Sequence, residues 1–385
     1  MYITYRYAPK LNNLTFENIF DNFTNPILPT QHSPKFFRTF TKVWPKKAKQ
    51  SDLQQLLTRY NVPHMHTQLE RLTPRISELL TEDMSPLYNT FYIPKHTGGF
   101  RRIDAPNPEL MSLLYDIKTI FEHILKLLPH DTAYAYVPGR STLDALTQHQ
   151  YNQSKWFLKL DIKDFFPSCN QQFILKQFLQ LFPFAPLMTN PQTTEIIINI
   201  IKIASLNNGL PQGTPLSPLL TNTIMLPIDF QIQEKLRNFD RHHFVYTRYA
   251  DDLLISCRHH FNINNVQHEI NKIFTKTHAP FTINQAKTRY GSSAGRNWNL
   301  GLMLNKENQI TVGYKRKQRL HAAVFNFLKD LTAGTIWSKL DVQILIGTIA
   351  YYQKIEPEYV HNLINKYSTK FNVNFHAETQ HILKS

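Results

Sequence analysis

The chain has 385 residues, which is enough for a large buried core and for two or three subdomains. Lysines and arginines number 43 against 28 aspartates and glutamates, and the net charge of +15 favours a polyanionic partner such as nucleic acid. Two cysteines exclude an extensive disulfide framework and indicate a reducing compartment. No apolar run reaches the roughly 18–20 residues of a membrane helix. The N-terminus lacks a signal-peptide pattern, so we expect a cytoplasmic protein with no membrane partner.

The N-terminal region, residues 1–85, mixes aromatic side chains with cations. A helix is predicted from Leu53 to about Tyr60, with Ser51 as its N-cap. A second helical stretch, over about residues 69–80, should break or restart at Pro74. We interpret residues 1–85 as an extension that either binds RNA or packs against the rest of the protein.

A β-hairpin is predicted between Phe91 and Pro106, where alternating residues flank a Gly-Gly turn. It carries Lys95 before the turn and Arg101 and Arg102 after it. Cations on a projecting hairpin can clamp a triphosphate, although an ordinary solvated hairpin would show the same pattern. Helical spacing follows over residues 110–128, then a loop, then a helix that ends near residue 149.

A buried strand is predicted over Trp156–Leu160, and it ends in Asp161. A carboxylate at the tip of a buried strand is costly unless it binds a cation. Phe166 follows five residues later and would lie beside whatever that cation holds. Helices are predicted over residues 171–181 and 193–204.

A turn rich in glycine and proline covers residues 207–222 and leads into a helix that ends near Asn238. It contains Gln212 and Gly213, and the glycine would let the backbone approach a ligand closely.

Two further strands flank Ala250-Asp251, with Asp252 directly after the turn. A hairpin there places two carboxylates at one end of a sheet, beside Asp161. Mg²⁺ prefers such oxygen ligands and takes the rest of its shell from phosphates and water. Paired aspartates are also ordinary turn residues, so the metal interpretation depends on Asp161 upstream.

The chain then continues with a helix over about residues 262–276, a strand over 281–284 and Lys287-Thr288. A hairpin is predicted between residues 300–303 and 310–312. The remainder is predicted as three helices, over residues 315–331, 337–354 and 357–367. The first opens with four cations, which form either a solvated face or phosphate contacts: Lys315, Arg316, Lys317 and Arg319.

In this order and at these intervals, the motifs resemble the bacterial reverse transcriptases, the lineage of retrons, group II introns and defence-associated enzymes. The resemblance covers about residues 88–330. It is carried by the fingers hairpin (Lys95, Gly98-Gly99, Arg101), Asp161 with Phe166, Leu210-Pro-Gln212-Gly213, Tyr249-Ala-Asp251-Asp252, Lys287-Thr288, Leu300-Gly301-Leu302 and the helix from Lys315 to Leu331.

The resemblance implies an α+β right-hand polymerase fold with fingers, an antiparallel-sheet palm and a helical thumb. We expect the N-terminal extension over 1–85, fingers over 86–155, palm over 156–305 with fingers-side helices over 171–206, and thumb over 306–385.

The resemblance also implies a role for each site residue and two metal ions, Mg²⁺ or alternatively Mn²⁺. The expected roles are metal binding and catalysis for Asp161, Asp251 and Asp252, general acid catalysis for Lys287, nucleotide binding for Lys95, Arg101, Phe166, Gln212 and Gly213, and primer and template binding for Gly301, Leu302, Lys315, Arg316, Lys317 and Arg319. Phe166 would exclude a ribose 2′-hydroxyl. The implied partners are dNTPs, a structured non-coding RNA template and the RNA–DNA hybrid product, with an accessory defence protein or a second copy of the chain left open.

Two stretches depart from the retron enzymes, which carry Asn-Ala-x-x-His and Val-Thr-Gly elements. Here the corresponding residues are 144–149, with Asp at the first position, and 299–301, Asn-Leu-Gly. Nothing after the thumb resembles a maturase or nuclease domain. These features favour a stand-alone, defence-associated enzyme that makes cDNA from a non-coding RNA.

The alternatives are a template-independent or protein-primed DNA polymerase of the same fold, and a catalytically idle nucleic-acid-binding module. Tyr249-Ala250 and Phe166 disfavour a viral-type RNA polymerase, which has glycine and aspartate at the matching positions. DNA made without added RNA would identify a template-independent enzyme. Histidines beside Cys257 suggest zinc, but a zinc site needs four ligands at coherent spacing, so surface or RNA contacts are favoured.

Overall fold

The computed structural model describes residues 62–384, apart from 96–97, 126, 128, 182, 189, 240–242 and 294–300. It also describes a short antiparallel strand pair, β1 (Ile3–Tyr5) and β2 (Pro29–Gln31). The helix predicted over residues 53–60 lies outside the described residues, as does most of the N-terminal extension.

Two short helices, α1 (Val62–Glu70) and α2 (Thr73–Leu79), precede the first hairpin. Pro74 lies in the first turn of α2, which confirms that the helical stretch restarts there because proline has no N–H to donate. The predicted hairpin is confirmed as the antiparallel pair β3 (Tyr88–Pro94) and β4 (Phe100–Pro106).

Helix α3 (Pro108–Thr119) continues into a π-helical turn, Ile120–Ile124, and α4 covers Thr142–Tyr151. The sequence predicted that the first of these helices would extend to residue 128. The helical segment ends at Ile124, four residues before the predicted end.

The palm sheet has four strands in the order β6-β7-β5-β8, and every neighbouring pair is antiparallel. The strands are β5 (Trp156–Asp161), β6 (Val245–Tyr249), β7 (Asp252–Cys257) and β8 (Arg289–Ser292). The strand predicted over residues 281–284 is wrong, because only Ile283 forms a bridge there, to Ile162. Beyond Ile162 the chain leaves the sheet through Asp164, whose backbone is left-handed, so pairing cannot continue.

Helices cover one face of this sheet. They are α5 (Phe165–Ser168), α6 (Gln171–Phe178), α7 (Phe184–Leu187), α8 (Pro191–Ile203), α9 (Ser217–Phe239) and α10 (Ile263–Lys276). Leu158 and Leu160 of β5 are buried in the cluster that these helices form. Phe157 points to the opposite face, as strand alternation requires, and belongs to a second cluster shared with the thumb.

The predicted thumb, residues 306–385, includes the second strand of a short hairpin formed by β9 (Met303–Leu304) and β10 (Ile310–Thr311). It contains α11 (Tyr314–Thr332), α12 (Lys339–Ile355), α13 (Pro357–Phe371) and α14 (Phe375–Lys384). The last helix was not predicted; it follows Asn372, whose left-handed backbone ends α13 and reverses the chain. Within the described ranges, no helix is long and apolar enough to cross a bilayer.

Candidate active site

Three carboxylates meet at one end of the palm sheet. Asp161 is the last residue of β5, Asp252 is the first residue of β7, and the strand register places them directly opposite each other. Asp251 occupies the turn before β7, and its carbonyl accepts a hydrogen bond from the N–H of Ile162 at 3.0 Å. The residues that the sequence placed on separate strand ends are therefore neighbours.

Two lysines neutralise part of this charge. Lys287 Nζ lies 2.9 Å from Oδ1 and 3.2 Å from Oδ2 of Asp161, and this hydrogen bond raises the pKa of Lys287. The N–H of Asn284 donates to the Asp161 carbonyl at 2.8 Å, which anchors the segment carrying Lys287. Lys159 Nζ donates to Asp252 Oδ2 at 2.6 Å. Sequence reasoning missed Lys159, although its position two residues before Asp161 on one strand puts both side chains on the same face.

Burial, and then the nearby charges of Asp252 and Asp161, raise the pKa of Asp251 to about 6, while Lys287 opposes the shift. A carboxylate whose charge is disfavoured by its neighbours is stabilised by an incoming cation, so the donor set fits Mg²⁺. Among the described residues, no group of three or more His, Cys, Asp or Glu side chains is positioned to hold a metal ion. Oxygens of Asp161 and Asp252 face lysines here, and Mg²⁺ in such sites takes further ligands from substrate phosphates and water.

A buried ion pair supports the turn at Ala250-Asp251, which we call the catalytic turn. Arg248 is completely buried, and its Nε and Nη2 bind both carboxylate oxygens of Asp229 at 2.8–3.0 Å. Its Nη1 donates to the carbonyl of Ala250 at 3.2 Å. Ala250 has φ +57°, a strained conformation for alanine, so this bond helps to hold the turn in shape. Sequence reasoning missed this pair, because Asp229 lies on a helix 19 residues before Arg248.

His149 also supports the hairpin. It is fully buried between the two strands, with Nδ1 2.5 Å from Ser256 Oγ on β7 and Nε2 2.8 Å from Thr247 Oγ1 on β6. Burial lowers the pKa of His149 to about 3, so the ring is neutral. His149 is the last residue of the stretch 144–149. Asp144, its first residue, forms a capping box with Ser141 at the start of α4. Both ends of the stretch 144–149 therefore have structural roles.

The fingers hairpin presents its cations on opposite faces. Ile93 pairs with Arg101, and the N–H of Lys95 continues the ladder by donating to Gly99 at 2.9 Å, so Lys95 and Arg101 share a face. Both side chains are exposed. Arg102 lies on the other face, where its Nε donates to Asp104 at 2.8 Å.

Gln212 and Gly213 attach their loop to this hairpin. The Gln212 carbonyl accepts from the N–H of Asp104 at 2.7 Å. Gly213 has φ +122°, and a Cβ there would lie 2.9 Å from both the Asp104 carbonyl oxygen and Ile103 Cγ2. The close approach that Gly213 permits in this structure is to β4, whereas the sequence suggested a ligand.

Phe166 is half-buried in α5, and its carbonyl accepts from the N–H of Leu210 at 3.1 Å. Its ring meets that of Tyr136 edge-on, with centroids 6.2 Å apart. Burial, and then the charge of Asp251, raise the pKa of Tyr136, whereas Arg101 lowers it. Tyr136 was not singled out from the sequence, and it lies between the fingers cations and the catalytic turn.

The residues predicted to hold primer and template divide into two groups. Gly301 has φ +101° and its carbonyl accepts from Arg316 Nη1 at 3.0 Å; a Cβ at Gly301 would collide with that guanidinium. Leu302 is fully buried. Lys317 forms an ion pair with Glu356 and lies over the ring of Tyr359. By contrast, the side chains of Lys315 and Arg319 are exposed on α11.

Residues 93–332 match the family described as reverse transcriptase (RNA-dependent DNA polymerase). The retron Ec83 reverse transcriptase of Escherichia coli is 28% identical over 306 residues, which cover 79% of this chain and 94% of that protein. The retron Ec73 reverse transcriptase of the same species is 29% identical over 302 residues, covering 75% and 90%. Among solved structures, apo telomerase from Candida tropicalis is 13% identical and covers 76% of this chain and 64% of that one, with a TM-score of 0.44.

The named bacterial relatives are retron enzymes, and the match to them includes nearly their whole length. The departures at residues 144–149 and 299–301 therefore occur in a retron-like chain, and they do not separate it from that group as the sequence suggested.

Proposed function

This chain belongs to the reverse transcriptase family of RNA-dependent DNA polymerases, and from that premise we propose that it copies a structured non-coding RNA into DNA by two-metal nucleotidyl transfer. We propose further that this activity serves bacterial antiviral defence. The observation that carries the catalytic proposal is the meeting of Asp161, Asp251 and Asp252 at one end of the palm sheet. The raised pKa of Asp251 supports a cation at this position.

Asp161 and Asp251, assisted by Asp252, would hold two Mg²⁺ ions, or Mn²⁺, which when bound activate a primer 3′-hydroxyl and neutralise the leaving pyrophosphate. Lys287 remains protonated beside Asp161 and can donate its proton to the pyrophosphate as a general acid. Asp252 is kept in place by Lys159.

The nucleotide is bound between fingers and palm. Lys95 and Arg101, on one face of the hairpin, neutralise the triphosphate. Gln212 and Gly213 fix the loop that joins this hairpin to the palm, because Gln212 accepts from the backbone of Asp104. The ring of Phe166 lies under the deoxyribose and excludes a 2′-hydroxyl. These contacts select dNTPs as substrates.

The RNA–DNA hybrid lies along the thumb. Lys315 and Arg319 are exposed and four residues apart, so their side chains lie on one face of α11 and can contact backbone phosphates. Arg316 acts indirectly by fixing the turn at Gly301. Template choice depends on the RNA itself, with an accessory protein or a second copy of the chain as an additional partner.

Primer extension tests the catalytic proposal. Wild-type protein should extend a DNA primer on an RNA template in Mg²⁺, whereas Asp251→Asn should lower the rate by about three orders of magnitude or more. Asp164→Asn is the matched control, since Asp164 is exposed and its φ of +46° suits asparagine. Both variants should bind RNA like the wild type.

Two results would reject parts of this proposal. Near-normal extension by Asp251→Asn would remove Asp251 from the metal site. DNA made by the wild type without added RNA would indicate a template-independent polymerase. The defence role is tested separately, by phage survival of cells that carry the wild-type gene or the Asp251→Asn gene; equal survival would reject it.

A further inference from the structure

Tyr136 has a backbone conformation that large side chains rarely adopt. Its φ is +59°, in the left-handed region, where the side chain crowds the backbone. Such conformations persist where the surrounding structure imposes them, and they concentrate at functional sites. The structure around Tyr136 therefore holds it in an unfavourable backbone conformation.

The loop before Tyr136 is pinned to the strand that leads into the catalytic turn. The N–H of Tyr134 donates to the Arg248 carbonyl at 2.8 Å, and the N–H of Arg248 donates to the Thr132 carbonyl at 2.7 Å. Asn222 joins the same network, because its amide binds the Ala135 carbonyl at 2.9 Å and its Oδ1 accepts from Arg248 Nη2 at 3.1 Å. The backbone up to Tyr136 is thus fixed relative to Asp251.

The ring of Tyr136 contacts the residue proposed to read the sugar. Its centroid lies 6.2 Å from that of Phe166, with an angle of 70° between the rings. Phe165 also meets Phe166 edge-on, at 5.6 Å and 69°. Phe166 therefore contacts two edge-on rings, one buried and one exposed, in the geometry that aromatic pairs prefer.

A ring can exclude a hydroxyl group only if it cannot move aside. The rings of Phe165 and Tyr136 both limit the movement of the Phe166 ring. We propose that Tyr136 is a positioning residue for sugar discrimination, which holds the Phe166 ring in place so that ribonucleotides are rejected. This inference rests on the proposed function, since it presumes that Phe166 faces the deoxyribose.

The test is single-nucleotide incorporation on a primed RNA template, with the ratio of ribonucleotide to deoxyribonucleotide kcat/KM as the readout. Tyr136→Ala should raise this ratio by about two- to tenfold, the range expected from losing one edge-to-face ring pair. Tyr136→Asn should do the same and suits the left-handed backbone, so its effect does not depend on strain. Tyr136→Phe should keep the wild-type ratio, because it keeps the ring.

Two controls separate this role from others. Tyr92→Ala removes an equally exposed ring from the outer part of the fingers hairpin and should leave the ratio unchanged. The double variant Tyr136→Ala/Phe166→Ala should match Phe166→Ala alone, since Tyr136 acts through Phe166.

An unchanged ratio in Tyr136→Ala and Tyr136→Asn, with normal DNA synthesis, would overturn this inference and leave the proposed function intact. Multiplied effects in the double variant would also overturn it, because they would show that Tyr136 acts independently of Phe166. Absence of RNA-templated synthesis in the wild type would overturn the proposed function, and this inference with it.

Discussion

The carboxyl group of Asp251 lies where its negative charge is unfavourable until a cation binds. It is mostly shielded from water and close to Asp252 and Asp161, and the outcome is a pKa raised to about 6. Sites that concentrate like charges for function commonly reduce the stability of the protein without its ligand. Removing this charge should therefore damage catalysis and increase stability.

We expect Asp251→Asn to raise the free energy of unfolding of the metal-free protein by about 1–3 kcal/mol at pH 7.5. In the unfolded chain the carboxyl group ionises near its usual pKa of 3.8, whereas in the folded protein it keeps its proton up to about pH 6. Ionising the folded group therefore lowers the free energy of unfolding by its full amount above about pH 6. This loss of stability shrinks as the pH falls from about 6 to 3.8, and it is absent below pH 3.8.

Chemical denaturation of both proteins at pH 7.5 and pH 4 measures this difference. Mg²⁺ should stabilise the wild type more than the variant, because binding to the folded state adds stability by mass action. If the wild type and Asp251→Asn have the same stability at pH 7.5 as well as at pH 4, the neighbours of Asp251 do not disfavour its charge.

The sequence was sufficient for those site residues whose position follows from a strand end. Asp161 and Asp251 could be placed because apolar runs define where their strands stop. Lys159, Arg248 and Tyr136 could not, since their contacts depend on strand register, on a partner in a distant helix and on the path of a loop. The sequence also could not show which thumb cations are exposed, because Arg316 and Lys317 bind residues that are distant in the chain.

At the scale of elements, the fingers hairpin separates its cations by strand alternation. We expect Lys95→Ala and Arg101→Ala each to lower kcat/KM for dNTP by about 10- to 100-fold, mainly through KM, because a charge-assisted contact to the triphosphate is lost. Arg102→Ala is the matched control, since this cation lies on the opposite face and binds Asp104. Steady-state kinetics with varied dNTP measures the effect. Equal losses in all three variants would mean that the hairpin contributes general charge and no specific clamp.

The first thumb helix contains cations of two kinds. Replacing Lys315 and Arg319 together should make the log–log slope of hybrid binding against salt shallower by about one to two units, because two phosphate contacts are lost. Replacing Arg316 and Lys317 should lower thermal stability with less change in slope, since these side chains bind Gly301 and Glu356. Fluorescence anisotropy over a salt series and thermal melts measure both quantities. If replacing Arg316 and Lys317 changes the salt slope more than replacing Lys315 and Arg319 does, the hybrid lies on the other side of α11.

Among the elements, the apolar runs predicted most strands of the palm. The errors lie where a strand has no apolar run, or where a strand-like run forms no strand. Strand β8 is Arg-Tyr-Gly-Ser, which carries no hydrophobic run, and it forms because β5 offers an open edge. The stretch 281–284 has a strand-like pattern, but its partner strand ends at Asp161. The pattern of apolar residues within one segment does not show where the neighbouring strand ends.

At the scale of the whole molecule, the palm sheet joins two cores. Leu158 and Leu160 pack with the fingers-side helices, whereas Phe157 and Leu254 pack with the thumb cluster. The catalytic end of β5 is therefore held between both halves of the protein. This arrangement fixes the position of the carboxylates relative to both clusters.

We propose that the N-terminal extension selects the RNA. Its first 50 residues contain the cations Lys46, Lys47 and Lys49 and aromatic residues such as Tyr2 and Phe36, a mixture that suits folded RNA, whose loops stack on rings while phosphates meet lysines. Deleting residues 1–50 should abolish binding of the RNA that copurifies with the protein, yet leave extension of a generic annealed primer–template. Sequencing of the copurified RNA and binding assays with both proteins measure this, and a triple Lys46→Ala/Lys47→Ala/Lys49→Ala variant tests the charge without truncation. If the wild type carries only random cellular RNA, and the truncated protein binds it equally well, a dedicated RNA partner is excluded.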